Sequence, residues 1–114
     1  MSENFLVLST IDDAKAAEQI AEKLVELQLA ACINIIPNLT SIYKWEGHLE
    51  SANEQLLLIK TAGDRLEKLM EMLVALHPYE LPEIIAVPLK VGYPPYLEWL
   101  YSGTRTIPNE TASE

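Results

Sequence analysis

The stretch N-E-Q-L-L-L-I-K-T, residues 53–61, decides the fold. At its centre are four large aliphatic residues, Leu56, Leu57, Leu58 and Ile59, closed by Lys60. Successive side chains of a strand point to opposite faces, so Leu56 and Leu58 lie opposite Leu57 and Ile59. Both faces of this strand are therefore apolar. It is expected over about Leu49 to Thr61. Just before it, W-E-G-H at residues 45–48 carries a turn signal at Gly47. Ala31 to Trp45 is rich in β-branched and aromatic residues, so a hairpin of two long strands is expected. Pro37 cannot donate to a ladder, which places a bulge or bend there.

Further back, Ala17, Ile20, Ala21, Leu24 and Leu27 recur at helical spacing between Asp12 and about Leu29. Glu18, Glu22, Lys23 and Glu26 take the other side, which makes an amphipathic helix with one buried face. Asn4 to Thr10 is a short apolar run and reads as the first strand. Beyond Lys60, Gly63 and Asp64 open a second helix, Arg65 to about Leu76, on Leu66, Leu69, Met70 and Leu73. Pro78 and Pro82 stop it, because each restricts the residue before it. Glu83 to Val91 is expected as a fourth strand, with Pro88 implying an edge or a bulge. Pro94 and Pro95 suit the first turn of a short helix carrying Tyr96, Leu97, Trp99 and Leu100. Residues 1–103 form one domain, and residues 104–114 read as a polar tail. The order βαββαβ plus a C-terminal helix is an α+β, ferredoxin-like arrangement with an antiparallel sheet.

In that arrangement two helices cover one sheet face, and the other face is normally half wet and alternating. These strands do not alternate. Phe5 and Val7 oppose Leu6 and Leu8, and Ile84 and Ala86 oppose Ile85 and Val87. The uncovered face would be an apolar patch of roughly several hundred Å², at the limit of what soluble monomers expose. Self-association is the expected cover, and folding of the third helix over that face is the alternative.

The chain has 114 residues, 17 acidic against 8 basic, and a formal charge of -9. The scattered basic residues argue against nucleic acid, and the charge disfavours an anionic membrane surface. No segment approaches the ~20 apolar residues of a membrane span, and Phe5 to Leu8 is too short for a signal-peptide core. A single cysteine, Cys32, fits a reducing compartment, so a cytoplasmic location is expected.

No G-x-S-x-G elbow, phosphate loop, H-x-x-x-H or C-x-x-C pair is present, so the chain reads as a non-enzyme with no obligatory cofactor. What remains is a set of polar residues in apolar company. Cys32 and Asn34 share a strand face opposite Ile33 and Ile35, and Cys32 is either a small buried hydrophobe or a soft metal ligand. His77 either complements the end of the second helix or, beside Tyr79, Glu80 and Glu83, ligates copper or zinc. His48 reads as a solvated turn residue. Lys60 should snorkel or pair with a carboxylate, and Glu54, six residues earlier on the same face, is too far away within one chain. Tyr43, Trp45 and Tyr79 are packing anchors or ligand platforms.

Five segments in order, AACINIIP, SIYKWEG, the glutamate and lysine of NEQLLLIKT, HPYELPEI and YLEWL, closely resemble the CutA family of divalent-cation-tolerance proteins. The resemblance runs from about Phe5 to Trp99 or Leu100. It implies a ferredoxin-like subunit in a compact homotrimer, with strands of neighbouring subunits paired edge to edge and the hairpin around Pro37 and Gly47 reaching between them. It also implies tolerance to divalent metals, copper especially, through Cys and His ligands. Family members with that proposal carry a cysteine at the end of the first strand and a His-His pair before Pro-Tyr. This chain has Ser9 and Leu76 there, which leaves His77 and Cys32 as the candidate metal ligands. A second reading, by architectural analogy with trimeric signal proteins of the PII type, is a regulatory trimer that senses a small anionic ligand. Asn34, Trp45, Lys60, Tyr79 and Glu83 would line its intersubunit cleft. A third is a trimeric scaffold that docks protein partners through its rim.

Overall fold

A computed structural model describes residues 3–105. The chain runs β1 (Asn4–Ile11), α1 (Ala14–Glu26), β2 (Cys32–Trp45), β3 (His48–Ala62), α2 (Leu66–Leu76), β4 (Ile85–Leu89) and α3 (Pro94–Ser102), with a 3-10 turn at Gly63–Arg65 leading into α2. The four strands form one antiparallel sheet in the order β2-β3-β1-β4. This is the expected α+β, ferredoxin-like order. No helix among the described residues is long and apolar enough to cross a membrane.

Local chemistry sets the boundaries. The Asp13 carboxylate accepts the amides of Lys15 and Ala16 at 3.0 and 3.3 Å, so α1 starts after its cap rather than at Asp12. It ends at Glu26 rather than near Leu29, because Gln28 turns left-handed at φ 58° and the amides of Leu29 and Ala30 both return to the Leu24 carbonyl. The bulge expected near Pro37 is a register shift between Ile36 and Leu39, with Asn38 at φ 61°. At the hairpin tip Glu46 and Gly47 take φ 52° and 82°, the two positive values that a tight two-residue hairpin turn demands. His48 closes that turn and is exposed. Strand β4 is shorter than the expected Glu83 to Val91, because β1 offers partners only from Leu89 back to Ile85.

The core lies between the sheet and helices α1 and α2. It contains Val7, Ile11, Ile20, Leu24, Leu57, Ile59, Leu69 and Leu73, with Ile33 and Ile35 packed against it. Register then puts Leu6, Leu8, Ile36, Leu56, Leu58, Ile85 and Val87 on the opposite face. Helix α3 packs against β1 and β3, and at the Lys60 end of that face Lys60 Nζ lies 3.4 Å from the Tyr96 hydroxyl. Ile36, Ile85 and Val87 remain 44%, 50% and 43% exposed. Within one chain, the third helix does not cover the apolar face.

Two further features bear on assembly and stability. Strand β1 pairs with β3 only as far as Gln55, so residues 48–54 and their β2 partners project as a two-stranded arm. The polar tail expected from Thr104 begins later. Thr104 is fully buried and donates to the Tyr101 carbonyl at 2.9 Å. Arg105 lies over the Tyr101 ring and makes two 2.6 Å bonds to the Asp64 carboxylate, a fork geometry that only arginine supplies. The rest of the expected tail, residues 106–114, lies outside the described residues.

Candidate functional site

A groove of about 860 Å³ opens between the projecting arm and the segment that follows α2. The arm contributes Tyr43, Trp45 and Glu50, β3 contributes Glu54, the end of β1 contributes Thr10, and Asp12 follows it. The segment after α2 closes the other side with Tyr79, Glu80 and Glu83. Five carboxylates, from Asp12, Glu50, Glu54, Glu80 and Glu83, line the groove, and no Lys, Arg or His does so among the described residues.

That segment is held by two latches. Pro78 and Pro82 prevent α2 from continuing, and His77 caps it in an extended conformation. The His77 ring is buried, with Nε2 at 2.9 Å from the Thr10 carbonyl and Nδ1 accepting the Tyr79 amide at 3.1 Å. An amide can only donate and a carbonyl can only accept, so the proton sits on Nε2 and Nδ1 is bare. Both ring nitrogens are thus used inside the subunit. The second latch is the Tyr79 hydroxyl, which donates to Glu54 Oε2 at 2.5 Å. Burial, then the hydrogen bond to Glu54 and its charge, then the charge of Asp12, push the Tyr79 hydroxyl well above the usual tyrosine range. It stays a neutral donor at any physiological pH. Glu83, two residues before the start of β4, accepts the Thr10 hydroxyl at 3.4 Å.

The predicted cleft residues divide into two groups. Trp45, Tyr79 and Glu83 meet in the groove. Asn34 pairs with Leu58 in mid-sheet, and Lys60 sits at the far end of the open face beneath Tyr96. The two candidate metal ligands are also separated. Cys32 is level with Lys60 and Leu6, whereas His77 contacts Thr10, four strand positions further along, or roughly 13 Å at ~3.3 Å per residue. Ser9 is buried on the helix side, and its Oγ has no hydrogen-bond partner among the described residues. Among the described residues no three His, Cys, Asp or Glu side chains are grouped to hold a metal ion. The residues present therefore do not fit a tight resident metal within one subunit.

Sequence reasoning missed Asp12, Glu50 and Glu54 as groove residues. A signal for Glu54 existed, since an acid on the same face as Leu56 and Leu58 interrupts an otherwise apolar strip. Its partner Tyr79 lies 25 residues away, a separation that local pattern does not bridge.

A family model described as CutA1 divalent ion tolerance protein matches residues 5–103. The divalent-cation tolerance protein CutA of Thermus thermophilus is 48% identical over 99 residues, covering 87% of this chain and 96% of that protein. Its solved structure, also 48% identical, superimposes with a TM-score of 0.86 and covers 92% of this chain and 100% of that one. Mouse protein CutA is 44% identical over 100 residues, covering 88% of this chain and 56% of the relative, so the chain spans little more than half of that protein's length. A structure described as the periplasmic divalent cation tolerance protein CutA from Archaeoglobus fulgidus is 32% identical, with a TM-score of 0.86 over 90% of this chain and 99% of that one. The match of model, sequence and structure over nearly the same residues establishes that the chain belongs to the CutA1 divalent ion tolerance family.

Proposed function

We propose that the protein is a cytoplasmic homotrimer of divalent-cation tolerance that takes divalent cations such as copper or zinc weakly along the acid-lined groove, without catalysing a reaction. One observation carries this reading: five carboxylates face one groove with no basic group among its described lining. A cleft lined by one sign of charge concentrates counter-ions, and dispersed carboxylates hold them loosely for want of converging ligands. His77 joins such binding only by giving up two hydrogen bonds, and Cys32 only if assembly brings another subunit's groove to it.

The trimer is supported by the family resemblance, the open apolar face and the two-stranded arm, since an isolated hairpin is marginal in water without a partner to pack on. The single cysteine fits a reducing compartment. Within one subunit an anion entering the groove meets five carboxylates and no base among the described lining, an excess of acid that counts against the anionic-ligand reading. Titration calorimetry with copper and zinc on the wild type and on Glu80→Gln/Glu83→Gln tests the cation reading. Weak, salt-sensitive uptake that falls in the variant is expected. A tight, stoichiometric, salt-insensitive site unchanged in the variant would overturn it. Light scattering should give about three times the 12.8 kDa subunit mass.

A further inference from the structure

The open face of the sheet is polarised along β3. Glu54, Leu56, Leu58 and Lys60 share that face, with the acid at the arm end, the base at the α3 end and two leucines between. Glu54 is only 5% exposed. Its partner in the subunit is the neutral Tyr79 hydroxyl, and no cation lies against it among the described residues. Buried carboxylates are seldom left without a counter-charge. At the other end, Lys60 lies against the neutral Tyr96 ring and hydroxyl, with no carboxylate paired to it among the described residues. Six strand positions, roughly 20 Å at ~3.3 Å per residue, separate the two charges, so they cannot meet within one chain. The unmatched charges lie at opposite ends of one exposed apolar strip, so a second copy laid on that strip can satisfy both. In a ring, each subunit offers one end of the strip to one neighbour and the other end to the next.

We propose that in the assembled protein Lys60 of each subunit enters the acid-lined groove of its neighbour and pairs with Glu54, so that the groove is a shared site completed only by assembly. This rests on the trimeric reading above and adds to it the register of the contact and the residue contributed across it. It would bring together across the contact two groups of residues that one chain keeps apart. Lys60, with Asn34 on the same face, comes from one subunit, and Trp45, Tyr79 and Glu83 come from the next. The pair consumes one carboxylate and leaves Asp12, Glu50, Glu80 and Glu83 facing the groove for cations.

A double-mutant cycle on subunit exchange tests this. Full-length 14N- and 15N-labelled proteins are mixed, and hybrid trimers are followed by native mass spectrometry for wild type, Lys60→Met, Glu54→Gln and the double variant. Glutamine keeps an acceptor for Tyr79, so the fold of the subunit is retained. Each single change should speed exchange about thirty-fold, the low end of the cost of truncating one partner of a buried charge pair. The double variant should be no faster than the faster single one. Effects that multiply instead, in a wild type that is trimeric, would overturn the pairing and leave the trimer standing. A monomeric wild type would overturn both. A stable dimer with a coupled cycle would keep the pairing and overturn the trimer.

Discussion

Replacing Tyr79 by phenylalanine removes one oxygen and keeps the ring, so it isolates what the hydroxyl does for Glu54. The hydroxyl donates to Glu54 Oε2 at 2.5 Å, and Glu54 is buried to within 5% of its surface. A hydrogen bond to a charged group contributes about 1.5–3 kcal/mol net, and an acceptor left buried and unmade costs its desolvation in full. The groove is open on one side, so water reaching Glu54 holds the loss toward the lower figure. We expect Tyr79→Phe to destabilise the protein by about 2 kcal/mol. For a chain of this size that lowers Tm by roughly 8 °C, measured by calorimetry at fixed subunit concentration because assembly contributes by mass action. The pH dependence has a definite sign. The folded state holds the Tyr79 proton more tightly than the unfolded chain does. The associated stability is complete below the ordinary tyrosine value near ~10 and is lost as pH rises above it, at up to about 1.4 kcal/mol per pH unit. Ultraviolet titration of the five tyrosines should show one that ionises only with alkaline unfolding, and Tyr79→Phe should abolish that component. A variant within about 0.5 kcal/mol of wild type, together with five tyrosines ionising normally in the folded protein, would refute the latch.

Ser9→Ala should raise stability by about 1 kcal/mol, or about 4 °C in Tm, because it deletes a fully buried hydroxyl that has no partner among the described residues; a loss of stability on thermal unfolding would show that the hydroxyl is satisfied after all. The Arg105 bond holds the Asp64 carboxyl below its ordinary range, so its contribution is present above about pH 4 and is lost as pH falls through the lowered folded value. The pair is partly exposed, so Asp64→Asn should cost no more than about 1 kcal/mol at neutral pH and nothing at pH 2, read by urea unfolding at both.

The βαββαβ order was legible because each element carries its own local instructions. Leu56 to Ile59 mark a strand, Ala17 to Leu27 a helical stripe, and Pro78 and Pro82 a stop. Even the uncovered face was readable, since a strand apolar on both sides needs two covers and one subunit has helices for one. Less legible were effects of geometry at ends and over distance. Gln28 ends α1 by turning left-handed, which helical periodicity through Leu27 conceals. Thr104 and Arg105 look like tail, yet one is buried and the other is tied to Asp64, 41 residues away. The groove was half legible. Trp45, Tyr79 and Glu83 were assigned to one cleft, but its floor, Glu54, is defined by a tyrosine from a loop that only the folded chain brings near.

The two latches also change what His77 means for cation binding. His77 positions the Tyr79 amide, Tyr79 positions the Glu54 carboxylate, and the same segment carries Glu80 and Glu83 into the groove. Removing the imidazole therefore releases three of the five groove carboxylates from their places without any metal having touched a ring nitrogen. Loss of binding on removal of a histidine is commonly taken as the mark of a ligand. Here it is equally the mark of a support, and the hydrogen bonds favour the support, because both nitrogens are already committed to backbone groups. A groove that concentrates cations by the sum of its carboxylates needs its acids held apart and facing inward. For that task a buried, neutral, doubly bonded His77 serves better than one kept free to coordinate.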